Sequence, residues 1–239
     1  MKIKDDSFLE SLDAPFLNEQ MPLSHQLVNY LKEQIIQFKI KPDTALSENT
    51  LCHFFGVSRQ PVREALLRLS YCGLVKILSQ RGSFVTRISI KDVKRAHLIR
   101  EAVDVELVKR ASKKPKSDFL KELNLELCRQ RKCCQQKDLK GFYLSDQKFH
   151  KIILDHGDVT GIWKDLEYLL TSLDRVRYLD VKTEQALIPL INEHANIVDA
   201  ISKKNVASAE RCMRDHLERA LIQIEQMSEK MPQFFDLEE

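Results

Sequence analysis

Apolar side chains between residues 56 and 70 recur with the period of an α-helix. These positions, at i, i+3, i+4 and i+7, are Val62, Ala65, Leu66 and Leu69. Arg59 and Arg63 are four residues apart and fall on another face of the same helix. Ser58 is placed to cap its first turn, and Pro61 falls within that turn, where a missing amide hydrogen costs little. The pattern predicts a helix with one face in a core and a basic face in solvent.

A shorter apolar cluster precedes this helix. Leu51, Phe54 and Phe55 predict a short helix capped by Ser47, and Gly56 permits a sharp turn after it. Such spacing is typical of a helix-turn-helix, whose second helix enters the DNA major groove by its N-terminal residues. A helical hairpin with solvated arginines is the alternative that amphipathicity alone leaves open.

The residues that follow favour the DNA-binding alternative. Residues 73–78 and 79–86 form two short β-rich runs around a basic tip that contains glycine. A recognition helix followed by such a hairpin is a winged helix, and its wing would bring Arg81 to the minor groove or the phosphate backbone. Upstream, an apolar stripe predicts a further helix over residues 23–38.

After Thr86 the pattern changes to helical periodicity. Helices are predicted near 91–112, 117–136, 138–156, 159–180, 187–203 and 205–229. The expected fold is mainly α, with an N-terminal winged helix-turn-helix and a C-terminal all-α antiparallel helical bundle. The predicted domains are a flexible N-terminal tail (1–21), a DNA-binding domain (22–88), a helical domain (89–230) and a C-terminal tail (231–239).

Charge is distributed unevenly along the 239 residues. The net charge of the chain is only +3, yet residues 22–90 contain nine Lys or Arg against four Asp or Glu. The basic excess therefore lies in the segment that the helix pattern already assigns to nucleic acid.

The N-terminus lacks a sustained apolar run, and no stretch of about eighteen apolar residues occurs, so we expect a cytoplasmic protein. The six cysteines form no Cys-x-x-Cys pair. Even the adjacent Cys133 and Cys134 are best interpreted as small hydrophobic residues in a reducing compartment.

Polar residues interrupt the apolar stripes of four helices in the second half of the chain. Arg100 occupies a core position in the first of them, and Asp146 and His150 share a face four residues apart. His194 and His216 interrupt two further stripes. A single such histidine is usually a hydrogen-bonded core residue, but the repetition favours one shared site. Imidazole and carboxylate groups suit a divalent transition metal; zinc is expected first, and nickel, manganese or iron are alternatives.

Several motifs in the first 88 residues carry a family resemblance. They are Leu46-Ser47-Glu48, Phe55-Gly56-Val57-Ser58-Arg59, Pro61-Val62-Arg63-Glu64-Ala65-Leu66, Gly73-Leu74-Val75 and Arg81-Gly82-Ser83-Phe84-Val85. Residues 22–88 resemble the winged-helix domain of GntR-family bacterial transcription factors. Residues 42–44 lack the glycine that is usual in the family, and Asn49 stands where a basic residue is common, which suggests an altered operator. The candidate DNA-binding residues are Asn49, Ser58, Arg59, Gln60, Arg63, Arg81 and Gly82.

Residues 90–225 resemble the all-helical effector domain of the FadR subfamily, called FCD. That resemblance implies that Asp146, His150, His194 and His216 hold a metal and that Arg100 helps bind a small carboxylate. His97 stands where a tyrosine is often found and is a second candidate for the effector pocket.

The predicted function is an effector-responsive transcriptional regulator that acts as a homodimer on a short pseudo-palindromic DNA operator. A winged helix alone makes few base contacts, whereas two double them and set the half-site spacing. One alternative is a regulator whose metal is purely structural. Another is a metal-dependent hydrolase, which the absence of His-Asp and His-Glu-x-x-His motifs disfavours, so no enzyme is expected.

Overall fold

The computed structural model describes residues 7–18, 20–157, 161–162, 166, 169–181 and 184–236. The chain folds into two compact units. One contains the described residues up to Ile90 and those from Lys230 onward, and the other extends from Lys91 to Glu229.

Three helices form the helical part of the first unit. They are α1 (Leu23–Ile36), α2 (Glu48–Phe55) and α3 (Arg59–Tyr71). Ser47 caps α2 by accepting a hydrogen bond from the backbone N–H of Thr50, and Gly56 ends that helix in the left-handed conformation, with φ of 65°. Ser58 occupies the N-cap position of α3, but its side chain makes no capping hydrogen bond. The predicted side-chain cap is therefore wrong, since only the backbone of Ser58 has the extended geometry of a cap.

A small antiparallel sheet completes the winged helix. Its strands β1 (Ala45–Leu46), β2 (Val75–Leu78) and β3 (Gly82–Val85) are arranged in the order β1-β3-β2. Val75 pairs with Val85 and Leu78 with Gly82, so residues 79–81 form the tip of the predicted wing. The apolar stripe of α3 is buried as predicted, and it packs with α1 around one core.

The described part of the N-terminal segment is docked rather than free. A 3-10 helix spans Ser7–Ser11, Leu12 is buried, and Phe8 packs against the core of the unit. The hydroxyl of Tyr30 donates a 2.6 Å hydrogen bond to the backbone carbonyl of Asp13. Residues 7–18 thus depart from the flexible tail expected, because a few apolar side chains find a complementary surface on α1 and α2.

The C-terminal segment also departs from the predicted tail. Phe235–Asp236 form a strand, β5, that pairs in parallel with β4 (Ile88–Ser89). Phe235 is 1% exposed, and the ring of Phe234 packs edge-on against Phe38 at 4.9 Å between centroids. Packing of these two aromatic rings anchors the segment. The polar residues around them along the chain gave no indication of this packing.

Helices make up the second unit. They are α4 (Ile90–Lys113), α5 (Ser117–Gln136), α6 (Leu139–His156), α7 (Thr171–Val181), α8 (Glu184–Ser202) and α9 (Val206–Lys230). The start of the helix predicted at 159–180 lies outside the described residues. Ion pairs join Lys94 to Glu225 and Lys109 to Glu210, and this reversed order shows that α4 and α9 are antiparallel.

An apolar core joins α4, α5, α6, α8 and α9, with Phe149, Ile197 and Met213 fully buried in it. Among the described helices, none combines the length and the apolar character needed to cross a bilayer.

Candidate DNA interface and metal site

The seven predicted DNA-binding residues all lie in the first unit and are all exposed. Arg59 and Gln60 open α3, and Arg63 follows one turn later. Arg81 is at the tip of the β2–β3 hairpin, next to Gly82, whose φ of 106° favours glycine. The fold therefore presents a basic helix start and a basic wing tip, the two surfaces with which a winged helix contacts DNA.

The four predicted metal ligands lie together in the second unit, and all are buried. Asp146 and His150 project from α6, His194 from α8 and His216 from α9. His150 Nε2 is 3.2 Å from His216 Nε2, and Asp146 Oδ1 is 3.4 Å from His194 Nε2 and 4.0 Å from His150 Nε2. Atoms bound to one ion at about 2.0–2.1 Å have separations in this range.

Each histidine also has a partner on its outer side. Nδ1 of His150 is 3.1 Å from Asp104 Oδ2, and Nδ1 of His194 is 2.9 Å from Gln130 Oε1. His216 Nδ1 is 2.8 Å from a carboxylate oxygen of Glu193. Because these oxygens accept hydrogen bonds, each Nδ1 carries the proton and each Nε2 carries a lone pair.

The lone pairs of three imidazoles therefore face one another in a buried space. The three histidine ligand atoms lie within 4.8 Å of one another, and His194 Nε2 is buried without a hydrogen-bond partner. Facing lone pairs and an orphaned acceptor are unfavourable unless a cation or a donor lies between them. The outer hydrogen bonds match the arrangement by which proteins orient histidines on a metal. The residues present thus fit a divalent metal ion.

Asp146 has a second partner that the sequence did not indicate. Arg177, on α7, donates a hydrogen bond to Asp146 Oδ2 and lies near Asp174. Burial alone would raise the pKa of Asp146, but the charge of Arg177 lowers it well below its usual range. Burial lowers the pKa of His150 and of His194 far below the ordinary histidine value, so both are neutral and able to bind a metal.

The charged groups of this network carry an excess of negative charge. With neutral histidines, the described network has five carboxylates and three guanidinium groups, and its formal charge is −2. The members are Asp104, Asp146, Asp174, Asp180, Glu193, Arg100, Arg177 and Arg219. A divalent cation at the histidines would offset this excess of negative charge.

A cavity of about 40 Å³ lies beside the histidines, room for roughly three waters. Arg100, Arg177, Arg219 and His97 line it, together with Asp146 and His216. Arg100 is 3% exposed; its Nε donates to Asp104 at 3.2 Å, whereas its Nη2 is buried and has no hydrogen-bond partner. The cavity thus contains an unsatisfied cationic donor next to the cluster of ligand atoms.

Two family models match the chain. Residues 23–85 match "Bacterial regulatory proteins, gntR family", and residues 96–219 match the FCD domain. The chain belongs to the GntR family. It is accordingly a DNA-binding transcriptional regulator, and the matched segments confirm the two resemblances found in the sequence.

Relatives of this GntR-family chain are regulators as well. The HTH-type transcriptional repressor RspR of Escherichia coli (strain K12) is 32% identical over 222 residues, covering 93% of this chain and 97% of RspR. The gluconate operon transcriptional repressor of Bacillus subtilis (strain 168) is 29% identical over 74% of each chain. These names indicate a regulator and not a hydrolase.

Solved structures show the same fold. Escherichia coli McbR/YncC aligns with a TM-score of 0.75 at 20% identity, over 87% of this chain and 99% of that one. A putative transcriptional regulator GntR from Rhodococcus sp. RHA1 aligns with a TM-score of 0.71 at 24% identity, over 85% and 97%. The predicted mainly α fold, with a winged helix-turn-helix followed by a helical domain, is confirmed.

Sequence patterns did not identify the outer residues of the site in this GntR-family regulator. Gln130 and Glu193 look like ordinary polar positions on amphipathic helices, and Arg177 lies on a helix whose apolar pattern is weak. Asp104 had a usable signal, because it follows Arg100 by one helical turn and shares its inward face.

Proposed function

We propose that the helical domain of this regulator binds a divalent transition metal, most simply zinc, through Asp146, His150, His194 and His216. The observation that carries the proposal is that the Nδ1 atom of each histidine is hydrogen-bonded to a side-chain oxygen on the outer side of the cluster. This arrangement aims three Nε2 lone pairs and one carboxylate oxygen at a common point. Nickel, manganese or iron use the same ligand types.

The proposed effector is a small carboxylate that binds in the adjacent cavity. Arg100 supplies a buried, unsatisfied N–H group for one carboxylate oxygen, and His97 forms part of the wall. A metal ion held by the histidines would act as a Lewis acid that attracts the other carboxylate oxygen. The small cavity favours ligands the size of acetate, glycolate or malonate, and a larger acid would require the walls to move.

The proposed DNA-binding form is a homodimer on a short pseudo-palindromic operator. Seven exposed candidate residues on α3, on the wing and near the start of α2 form the proposed DNA contacts of each copy. A second copy doubles the contacts and fixes the half-site spacing. Two relatives are named as transcriptional repressors, one of them of the gluconate operon, which supports a regulatory output.

Metal content and carboxylate response together test the proposal. Elemental analysis of the purified protein is expected to show one transition-metal ion per chain, and chelation is expected to lower the midpoint of thermal unfolding. Acetate, glycolate or malonate is then expected to change operator affinity, measured by fluorescence anisotropy on labelled duplex DNA. Protein that binds zinc but responds to no carboxylate would support the purely structural metal, whereas protein that binds no transition metal would contradict the site itself.

A further inference from the structure

Two carboxylates, the buried Asp104 and the partly exposed Glu193, each join a candidate metal ligand to an arginine of the cavity. Asp104 Oδ2 is 3.1 Å from His150 Nδ1 and 3.2 Å from Arg100 Nε, so a single oxygen contacts both groups. Asp104 is 1% exposed, so its side chain is shielded from solvent. Its position connects α4, through Arg100 one turn away, to α6 through His150.

Glu193 repeats the arrangement on the other side of the cavity. Its Oε2 is 2.8 Å from His216 Nδ1, and its Oε1 is 2.7 Å from Arg219 Nε. Arg219 lines the same cavity as Arg100. By contrast, the outer partner of the remaining histidine, His194, is the neutral side chain of Gln130.

We infer that Asp104 and Glu193 are positioning residues that couple effector binding to metal binding, so that each ligand strengthens the binding of the other. This inference rests on the proposed function, since it requires a metal at the histidines and an anion at the arginines. The coupling is reciprocal by thermodynamic necessity, and it gives the carboxylate a route to the ligands of the metal.

Hydrogen-bond polarisation supplies the physical cause. An anion at Arg100 neutralises part of the guanidinium charge, so Arg100 withdraws less electron density from Asp104. Asp104 then accepts more strongly from the Nδ1–H of His150, which makes Nε2 of that ring a more basic metal ligand. In the opposite direction, a cation on Nε2 makes Nδ1–H of His150 a stronger donor to Asp104. The hydrogen bond that Asp104 accepts from Arg100 then weakens, which leaves the guanidinium freer to bind an anion. Arg219, Glu193 and His216 transmit a similar effect through charge, since Arg219 forms an ion pair with Glu193 and no hydrogen bond through Nε to any described residue.

The experiment measures zinc affinity by chelator competition, with and without acetate, in the full-length protein and three variants. Asp104→Asn and Glu193→Gln keep the side-chain shape but remove the negative charge of each bridge. Gln130→Met is the matched control, because it removes the outer hydrogen bond of a histidine that is not bridged to an arginine. Wild-type protein is expected to bind zinc about 5- to 150-fold more tightly in acetate, the usual range of such coupling.

All three variants are expected to bind zinc about 10- to 100-fold more weakly, as losses of outer partners do. The acetate-dependent ratio separates them: it should fall below the wild-type value in the Asp104 and Glu193 variants, leaving only the part due to direct contact of acetate with the metal, and stay at the wild-type value in Gln130→Met. A merely structural role would lower zinc affinity without changing this ratio. The partly exposed Glu193 gives a second variant should Asp104→Asn fail to fold.

The outcomes that overturn the inference are distinct from those that overturn the proposed function. Wild-type ratios in both carboxylate variants would overturn the coupling alone. Zinc binding by wild-type protein that acetate does not change would overturn the coupling and would also contradict the proposed carboxylate contact with the metal. A wild-type protein that binds no zinc would overturn the metal site and the coupling with it.

Discussion

Nε2 of His150 lies 3.2 Å from Nε2 of His216, and each ring is paired on its other side with a carboxylate. His150 is committed through Nδ1 to Asp104, and His216 through Nδ1 to Glu193. Two acceptors at hydrogen-bond distance repel each other, so this contact is stable only when a positive group compensates it. A cation bound between the two rings, or a proton shared by them, supplies that group.

The first prediction concerns metal content and stability. His194→Ala or His216→Ala is expected to lower both, because a metal that binds only the folded chain stabilises it by about 2.7 kcal/mol at a hundredfold excess over its dissociation constant. Elemental analysis and thermal unfolding measure the two effects. His156→Ala is a control, since His156 stacks on Phe119 and is not in the cluster. Histidine variants that retain full metal would show that the ligands are wrongly assigned.

The second prediction concerns the pH dependence of the metal-free protein. Burial lowers the pKa of His150 and His194 in the folded state, so both stay neutral while the unfolded chain takes up protons below about pH 6.5. Their contribution to the free energy of unfolding is thus complete above pH 6.5. It is lost as the pH falls towards the folded pKa values, by about 1.4 kcal/mol per pH unit for each histidine. Chemical denaturation of chelator-treated protein between pH 7 and pH 5 measures the slope, and a flat profile would contradict neutral burial.

The inward position of the candidate ligands could be predicted from the sequence, whereas their surroundings could not. His194 and His216 interrupt apolar stripes, and helical periodicity is a local property that a sequence displays directly. The partners Glu193 and Arg177 have no such signal, because a polar residue on a helix gives the same sequence pattern whether its side chain faces solvent or another helix. Pairing of β4 with β5 joins segments far apart in the chain, and it depends on the burial of Phe235, which local composition does not reveal.

The third prediction concerns that C-terminal strand. Phe235→Ala is expected to destabilise the winged-helix unit by about 3–5 kcal/mol, the usual cost of removing a fully buried aromatic ring. Phe16→Ala is the matched control, because Phe16 is 96% exposed and its loss should change stability by less than about 0.5 kcal/mol. Denaturant unfolding followed by circular dichroism measures both. If the two variants change the free energy of unfolding equally, the strand contributes nothing to the core.

The fourth prediction concerns operator binding. Arg59→Ala and Arg63→Ala are each expected to weaken binding by about 1–3 kcal/mol and to relax sequence preference, because both project from the start of the recognition helix. Arg81→Ala at the wing tip should weaken binding more uniformly across sequences, as loss of a backbone contact does. Anisotropy titrations at several salt concentrations measure these changes, and affinity should fall steeply with salt. Lys39→Ala removes an exposed charge outside α3 and the wing. If Lys39→Ala weakens operator binding as much as the helix variants do, the loss of affinity reflects the change in net charge alone.

The last prediction separates the effector from the metal by means of Arg100. Arg100→Lys keeps a positive charge near Asp104 but loses the planar guanidinium, which offers a carboxylate two parallel N–H groups. The variant is expected to retain its metal and most of its thermal stability, since Asp146, His150, His194 and His216 are unchanged. It should nevertheless lose the carboxylate-induced shifts in melting temperature and in operator affinity, and remain in the DNA-binding mode of the unliganded protein. Lys94→Ala is the control. Lys94 lies on the same helix as Arg100, and its replacement removes only an exposed ion pair with Glu225 of α9, so this variant should respond like wild type. An undiminished carboxylate response in Arg100→Lys would show that the effector does not bind through this arginine, whereas loss of metal would show that the metal site is wrongly assigned.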